Sequence, residues 1–344
     1  MPWALIGLHQ AKGILTDMLR KDRVPHALLL TGPSGAGKFT LSMALAQALN
    51  CLSPDADLSP CLKCSSCLKI AALSHPDFLI LEPKGRKGII PIEEVRSLRA
   101  ALNYKPFEGK RQVAVVRMAE RFTEESGGAL LKTLEEPSPS TVIILNAMSE
   151  ASVMPTLVSR CSRMKVPPPP REALVAALSE KGCGSDLAAL LAGLSGGALG
   201  AALGLDAAAA QKTFSDLDSI LGLSGRPGAL AAALEWTGDF CETMAKFKKR
   251  EESYPKAREL QDLVLSCLRL WHRDAASLAA TGDPSIVLGP PASSAMWAWS
   301  KTITAESSRR FERSLARLAE GLARGLRLEI IFENFWLAVL KYEG

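Results

Sequence analysis

Residues 32–40 read GPSGAGKFT and follow directly on the apolar run Ala27-Leu28-Leu29-Leu30. Strand, glycine loop, lysine and helix in that order constrain the fold more than any other feature, because they specify a P-loop. Gly32 and Gly37 bracket a tight turn, and Gly35 lets the backbone come close to an anion. Successive backbone N–H groups form a concave nest at the positive end of the helix LSMALAQAL (41–49). Lys38 adds a point charge for phosphate oxygens. The candidate nucleotide-binding set is therefore Gly32, Pro33, Ser34, Gly35, Ala36, Gly37, Lys38, Phe39 and Thr40. The plainer alternative is a glycine-rich turn that joins strand to helix and holds no ligand.

The groups that normally hold Mg²⁺ beside such a loop are missing. Phe39 stands where a Ser or Thr hydroxyl would bind the metal, and Thr40 comes one position late. On a helix, that step turns a side chain by about 100° away from the metal side. The later strand VAVVRMAE (113–120) ends in Arg117 and Met118 where carboxylates would complete the site. Glu120 lies three residues past the expected acidic position and reaches the site only if the strand end is unusual. Mg²⁺ bridges the β- and γ-phosphates and neutralises developing charge. The expectation is a vestigial pocket with negligible ATP hydrolysis of its own and no Mg²⁺. The glycine loop and Lys38 still permit weak binding of ATP or ADP.

The chain has 344 residues, 47% hydrophobic, with a net charge of +5. That length suits two or three packed domains, and the mild basicity permits nucleic-acid contact without demanding it. The basic run KFKKR (246–250) reads as a solvated helix face. MPWALIGLHQ lacks the pattern of a secretory signal. The charge-free stretch Leu187–Leu205 carries five glycines and reads as two short helices with a break at Ser195-Gly196-Gly197, not as a membrane span. The expectation is a cytoplasmic protein with no membrane partner, whose eight cysteines are thiols or metal ligands.

Four of these cysteines cluster as C-x₉-C-x₂-C-x₂-C: Cys51, Cys61, Cys64 and Cys67. Thiolates two residues apart can turn toward one ion, and the loop containing Pro54 and Pro60 can fold the fourth sulfur back to close a tetrahedron. This reads as a closed, structural Zn²⁺ site within an insertion at 51–67. An iron–sulfur cluster is the alternative, but Cys67 is followed by LKIA and the ferredoxin C-x₃-C-P extension is absent. Cys161, Cys183, Cys241 and Cys267 are scattered, as buried small hydrophobes usually are.

From residue 1 to 166, β-like runs at His26–Leu30, Asp77–Leu81, Gln112–Val116 and Thr141–Leu145 alternate with helical patterns such as Ile92–Leu102 and Glu124–Leu134. Alternation of this kind predicts an α/β fold with a parallel sheet covered by helices. The run VPPPPRE (166–172) marks a stiff break. Residues 167–207 read as a small helical domain and 208–344 as an all-helical one. Near its end, Phe311, Leu315, Leu318, Leu322 and Leu326 share one face of a long amphipathic helix. His26 and His75, each entering a strand, are expected to be packed rather than ligating.

HALLLTGPSGAGK, the four-cysteine insertion, HPDFLILEP (75–83), GGALLKTLEEP (127–137) and PTLVSRC (155–161) occur together and in this order. In that combination the chain resembles the AAA+ clamp-loader subunits of bacterial DNA polymerase III. The resemblance is dense over 1–166 and looser beyond. It implies a P-loop domain, a small helical lid and an all-helical collar within a hetero-pentamer that loads a sliding clamp onto primed DNA. In the gamma and tau motor subunits the positions of Arg117 and Met118 carry Asp-Glu. Those of Ala147 and Met148 are polar there, and LSGGALGAAL (194–203) lacks the sensor arginine. These departures point to the non-motor, delta-prime-like kind, with gamma or tau and delta as partners and with clamp and primer-template DNA reached through the assembly.

The motif Ser159-Arg160-Cys161 is intact. In the family its arginine enters the neighbouring subunit's ATP site, so the resemblance implies that Arg160 acts in trans as an arginine finger, flanked by Ser159 and Cys161. A surface salt bridge is the plainer role for Arg160. Two other functions compete with the non-motor reading: an active motor subunit of the same loader, and a zinc-bearing nucleic-acid module. The stretch around the cysteines holds no aromatic residue and, among basic ones, Lys63 and Lys69, which argues against the latter.

Overall fold

The computed structural model describes residues 7–85, 88–248 and 254–340. By contact the chain divides into two compact units, Met1–Leu174 with Ala198–Ala201, and Val175–Gly197 with Ala202–Gly344.

The first unit carries five parallel strands: β1 Ala27–Thr31, β2 Phe78–Leu81, β3 Gln112–Val116, β4 Thr141–Ala147 and β5 Ser162–Lys165. Their order is β2-β3-β4-β1-β5. The helices are α1 His9–Arg20, α2 Lys38–Asn50, α3 Ser65–Ala71, α4 Ile92–Leu102, α5 Glu124–Glu135 and α6 Pro155–Val158. Every residue of β1, β3 and β4 is buried, as expected of strands covered on both faces. Successive residues point to opposite faces. Leu28, Leu30, Val113, Val115, Val142 and Ile144 pack with Leu15, Leu41, Leu45 and Ile70. Ala27, Leu29, Ala114, Val116, Ile143 and Leu145 pack with Val95, Leu98, Leu130, Leu134 and Leu157. This is an α/β arrangement with a phosphate loop after β1 and two cores divided by one parallel sheet.

α7 spans Arg171–Glu180, and the described elements after it are all helical. α8 Ser185–Leu194 and α9 Leu199–Gly204 flank the expected break. They are followed by α10 Ala207–Gly222, α11 Ala229–Lys248, α12 Tyr254–Thr281, α13 Ser294–Ser300, α14 Ala305–Ala323 and α15 Leu328–Val339. The core of the second unit is aromatic. Trp336 donates to Thr237 Oγ1 at 3.0 Å, and Trp271 donates to Asp218 at 2.7 Å. Among the described residues no helix is long and apolar enough to cross a membrane.

Three expectations change. His26 is exposed; its backbone carbonyl, not its ring, joins the sheet by accepting from Ile143 N at 2.7 Å. Leu326 is 53% exposed, because α14 ends earlier. Gly325 takes φ +69°, Gly325 N donates to Leu322 O, and Leu326 N donates to Gly321 O, a Schellman stop. Phe311, Leu315, Leu318 and Leu322 do form the buried face. β5 was not foreseen: in SRMK one residue of four is buried, so it lacks an apolar run. The reading of the N-terminus falls partly on residues 1–6, and that of the basic run partly on Lys249 and Arg250, both outside the described residues.

A polar clamp joins the end of α2 to the loop that enters β3. Asp77, 1% exposed, accepts from Phe107 N at 2.7 Å, Glu108 N at 2.9 Å and Gly109 N at 2.7 Å. Asn50 Oδ1 accepts from Lys110 N and Arg111 N at 2.8 and 2.9 Å. Gly109 is required here, since a Cβ would lie 2.6 Å from Asn50 Oδ1. His75 is buried as expected, and its Nδ1 accepts from Asp77 N at 3.1 Å. Burial by itself would raise the Asp77 pKa, but the three backbone donors outweigh it and hold the carboxyl below its usual value. A depressed folded-state pKa stabilises above the unfolded value of about 4, and the benefit is lost as pH falls through the folded value. Asp77→Ala is expected to lower stability by about 2–3 kcal/mol in urea unfolding at neutral pH, because it strands three donors. The deficit should shrink as the wild type is acidified.

Candidate functional site: the phosphate loop, the cysteine knot and Arg160

β1 lies between β4 and β5, and the loop leaves from its C-terminal end. Gly32 N donates to Ala147 O at 3.2 Å, and a Cβ on Gly32 would lie 2.1 Å from Val166 O, so only glycine fits there. Gly35 and Gly37 take φ of +73° and +89°. Gly37 caps α2 without any side-chain acceptor, and the first turn carries no acidic residue. The N–H groups at this helix start are therefore left for an anion. Ala36 is buried, while Pro33, Ser34 and Thr40 are exposed. Lys38 Nζ donates to Gly32 O at 2.6 Å and Pro33 O at 2.7 Å. Burial lowers the Lys38 pKa, and the nearby Glu120 carboxylate partly restores it.

The two positions that depart from a metal site touch each other. The Arg117 guanidinium carbon lies 4.8 Å from the centroid of the Phe39 ring, a cation–π contact. Such contacts contribute about 0.5–2 kcal/mol depending on desolvation. Arg117 Nη1 also donates to Glu82 Oε2 at 2.9 Å. Phe39 packs partly buried against the core. The strand end is unusual, as the position of Glu120 required. Met118 adopts φ +57° and starts a short 3₁₀ turn, Ala119–Arg121, which brings Glu120 toward Lys38. Its Oε2 is buried with no hydrogen-bond partner. Position 39 offers no oxygen and position 117 offers a cation, so the residues present do not fit Mg²⁺. Ala147 is buried and Met148 exposed.

Reading by motif overlooked Asn146, 4% exposed at the end of β4. Its side-chain amide lies 3.1 Å from Ser42 Oγ, a hydroxyl that also lies 2.9 Å from Lys38 O. The available signal was one amide side chain inside the apolar run TVIILNA.

Cys51, Cys61, Cys64 and Cys67 come together, with all four sulfurs within 4.8 Å of one another. The knot is held by backbone donors to sulfur. Cys61 N reaches Cys51 Sγ at 3.4 Å, Cys64 N reaches Cys61 Sγ at 3.3 Å and Cys67 N reaches Cys64 Sγ at 3.5 Å. Leu62 turns the chain with φ +56°. Burial opposes ionisation of Cys64, but the Leu52 and Cys67 amides and the neighbouring thiols draw its pKa down to about 6. Burial drives the Cys67 thiol upward. Gln47 of α2 donates to Cys67 O at 3.0 Å and ties the knot to the P-loop helix. Four convergent sulfurs with no carboxylate among them suit a tetrahedral thiophilic ion such as structural zinc.

Arg160 precedes β5, at the N-terminal edge of a parallel sheet whose C-terminal edge carries the loop. Nε and Nη2 donate to Glu135 Oε1 at 2.9 and 2.6 Å. Nη1 donates to Thr156 O and Ser159 Oγ, each at 3.1 Å. The guanidinium is thus held in a fixed orientation, with its side chain 36% exposed. Cys161 turns the other way into the core, and burial pushes its thiol up to about 11.

Residues 7–170 match the family model described as DNA polymerase III, delta subunit. The DNA polymerase III subunit delta' of Haemophilus influenzae is 38% identical over 160 residues, 46% of this chain and 47% of that one. The delta' subunit of Escherichia coli K12 is 35% identical over 192 residues, 56% of this chain and 57% of that one. A gamma/tau subunit of Mycoplasma pneumoniae is 32% identical over 157 residues, 45% of this chain and 22% of that one. The chain thus spans about half the length of the delta' relatives it matches. A solved gamma subunit-related protein from Thermotoga maritima aligns over 94% of this chain and 98% of its own, with 20% identity and a TM-score of 0.45. Through the half that holds the phosphate loop, the cysteine knot and Arg160, this chain is similar to the DNA polymerase III delta' subunits.

Proposed function

We propose that the chain is a non-motor subunit of a DNA polymerase III clamp loader. It assembles with gamma or tau and delta in a hetero-pentamer and helps to place the sliding clamp on primer-template DNA in the cytoplasm. In this reading 1–166 is the AAA+ domain, 167–207 its lid and 208–344 the collar through which the pentamer assembles. One observation carries the division of labour. The chain's own loop faces Phe39 and Arg117 where a metal would be held, while Arg160 is fixed at the opposite edge of the sheet by Glu135, Thr156 and Ser159. A guanidinium so fixed can enter a neighbour's nucleotide site with little loss of side-chain freedom. The zinc reading belongs here too: Zn²⁺ held by the four cysteines staples the insertion to α2 and takes no part in chemistry.

Two measurements test this. In a reconstituted loader, Arg160→Ala should lower turnover at the adjoining ATPase site by about 10³-fold or more, and Arg160→Lys should recover little of it. Unchanged clamp-loading and ATPase rates would show that Arg160 has no such role. Elemental analysis of the intact protein should find about one zinc per chain, lost together with stability in Cys64→Ser. Finding iron, or folded protein without metal, would refute the zinc assignment.

A further inference from the structure

We propose that Arg117 is a built-in counter-ion standing in for the metal, so that the phosphate loop takes a nucleoside di- or triphosphate metal-free. The inference deepens the reading of the pocket as a non-hydrolysing one and rests on it. The cradle itself is whole: two glycines in left-handed conformations, a helix start with no side-chain cap or acid, and Lys38. What has changed is the pair of positions that would hold a metal, and they have changed into partners. A ring at position 39 without a cation at 117 would leave an apolar face beside a polyphosphate. A cation at 117 without the ring would lack a surface to lie on. Together they place a planar, permanently charged guanidinium on the first turn of the phosphate-binding helix. A guanidinium carries several donors suited to paired contacts with phosphate oxygens.

The surrounding charges fit an exchange. Glu82 holds Arg117 at 2.9 Å, and Glu120 lies near Lys38. These two acids balance the two cations while no anion is bound. An arriving phosphate replaces Glu82 on the guanidinium and meets Lys38 freed from its loop carbonyls. A divalent cation arriving with it would meet Arg117 and Lys38, which repel it.

Calorimetry on the full chain with ADP and with ATP, in EDTA and in excess Mg²⁺, tests the proposal. Apparent affinity should be about fivefold or more weaker in excess Mg²⁺ than in EDTA, because Mg²⁺ holds the nucleotide in solution in the form that Arg117 and Lys38 repel. Arg117→Ala should weaken it about tenfold, and Glu82→Gln should strengthen it by releasing the guanidinium. Glu82 is half exposed, so the second variant keeps the test valid if the first folds poorly. Phe39→Thr combined with Arg117→Asp should convert the pocket to metal-dependent binding. No binding in EDTA, binding as tight or tighter with Mg²⁺, or no response to Glu82→Gln would overturn the proposal while leaving the role of Arg160 untouched. Phosphate release by the isolated chain in the same samples would instead overturn the non-hydrolysing reading itself.

Discussion

The pairing of β1 with β4 on one side and β5 on the other holds the remainder of the first unit in place. All five residues of β1 are buried, alternating between two apolar cores, so a slip of one residue would exchange the contents of both. That fixed register sets where the chain leaves the sheet, and the loop starts at Gly32 with its amide on Ala147 O. It also sets β5, and with it the position of Arg160 at the other edge. The two features that bear on function are thus anchored to one buried strand and its edge neighbour.

Around the loop, electrostatics have been rearranged rather than removed. A metal site would place a divalent charge between a hydroxyl and carboxylates. Here a guanidinium lies on an aromatic ring and pairs with Glu82, while Glu120 lies near Lys38. The αL residue Met118 is part of the same change, since it turns the end of β3 so that Glu120 approaches Lys38. At the opposite edge, Glu135 at the end of α5 steadies the Arg160 guanidinium and leaves part of it exposed.

The cysteine knot is continuous with this frame. Gln47 links α2 to Cys67, and Asn50, the last residue of α2, holds the backbone entering β3 together with Asp77. A helix whose first turn carries Lys38 therefore ends in a dense polar clamp. A metal bound by the four sulfurs would stiffen the far end of the helix that presents the cradle.

Much of this could be read directly from the residues. Continuous apolar runs located β1, β2, β3 and β4 to within two residues of their ends, because strands buried on both faces tolerate little else. Glycine and lysine spacing located the cradle, and cysteine spacing located the knot, since both depend on short local loops. β5 escaped because an edge strand needs no apolar run, and His26 was misjudged because its backbone carbonyl joins the sheet while the residue itself stays exposed. The local chain thus determined the fold class, the loop and the ligand cluster. Only the tertiary structure decided that Phe39 and Arg117 touch, that Glu120 comes near Lys38, that Asn146 meets Ser42 and that Glu135 holds Arg160. These contacts join segments up to 104 residues apart, and sequence spacing says nothing of which charges meet once the sheet has closed.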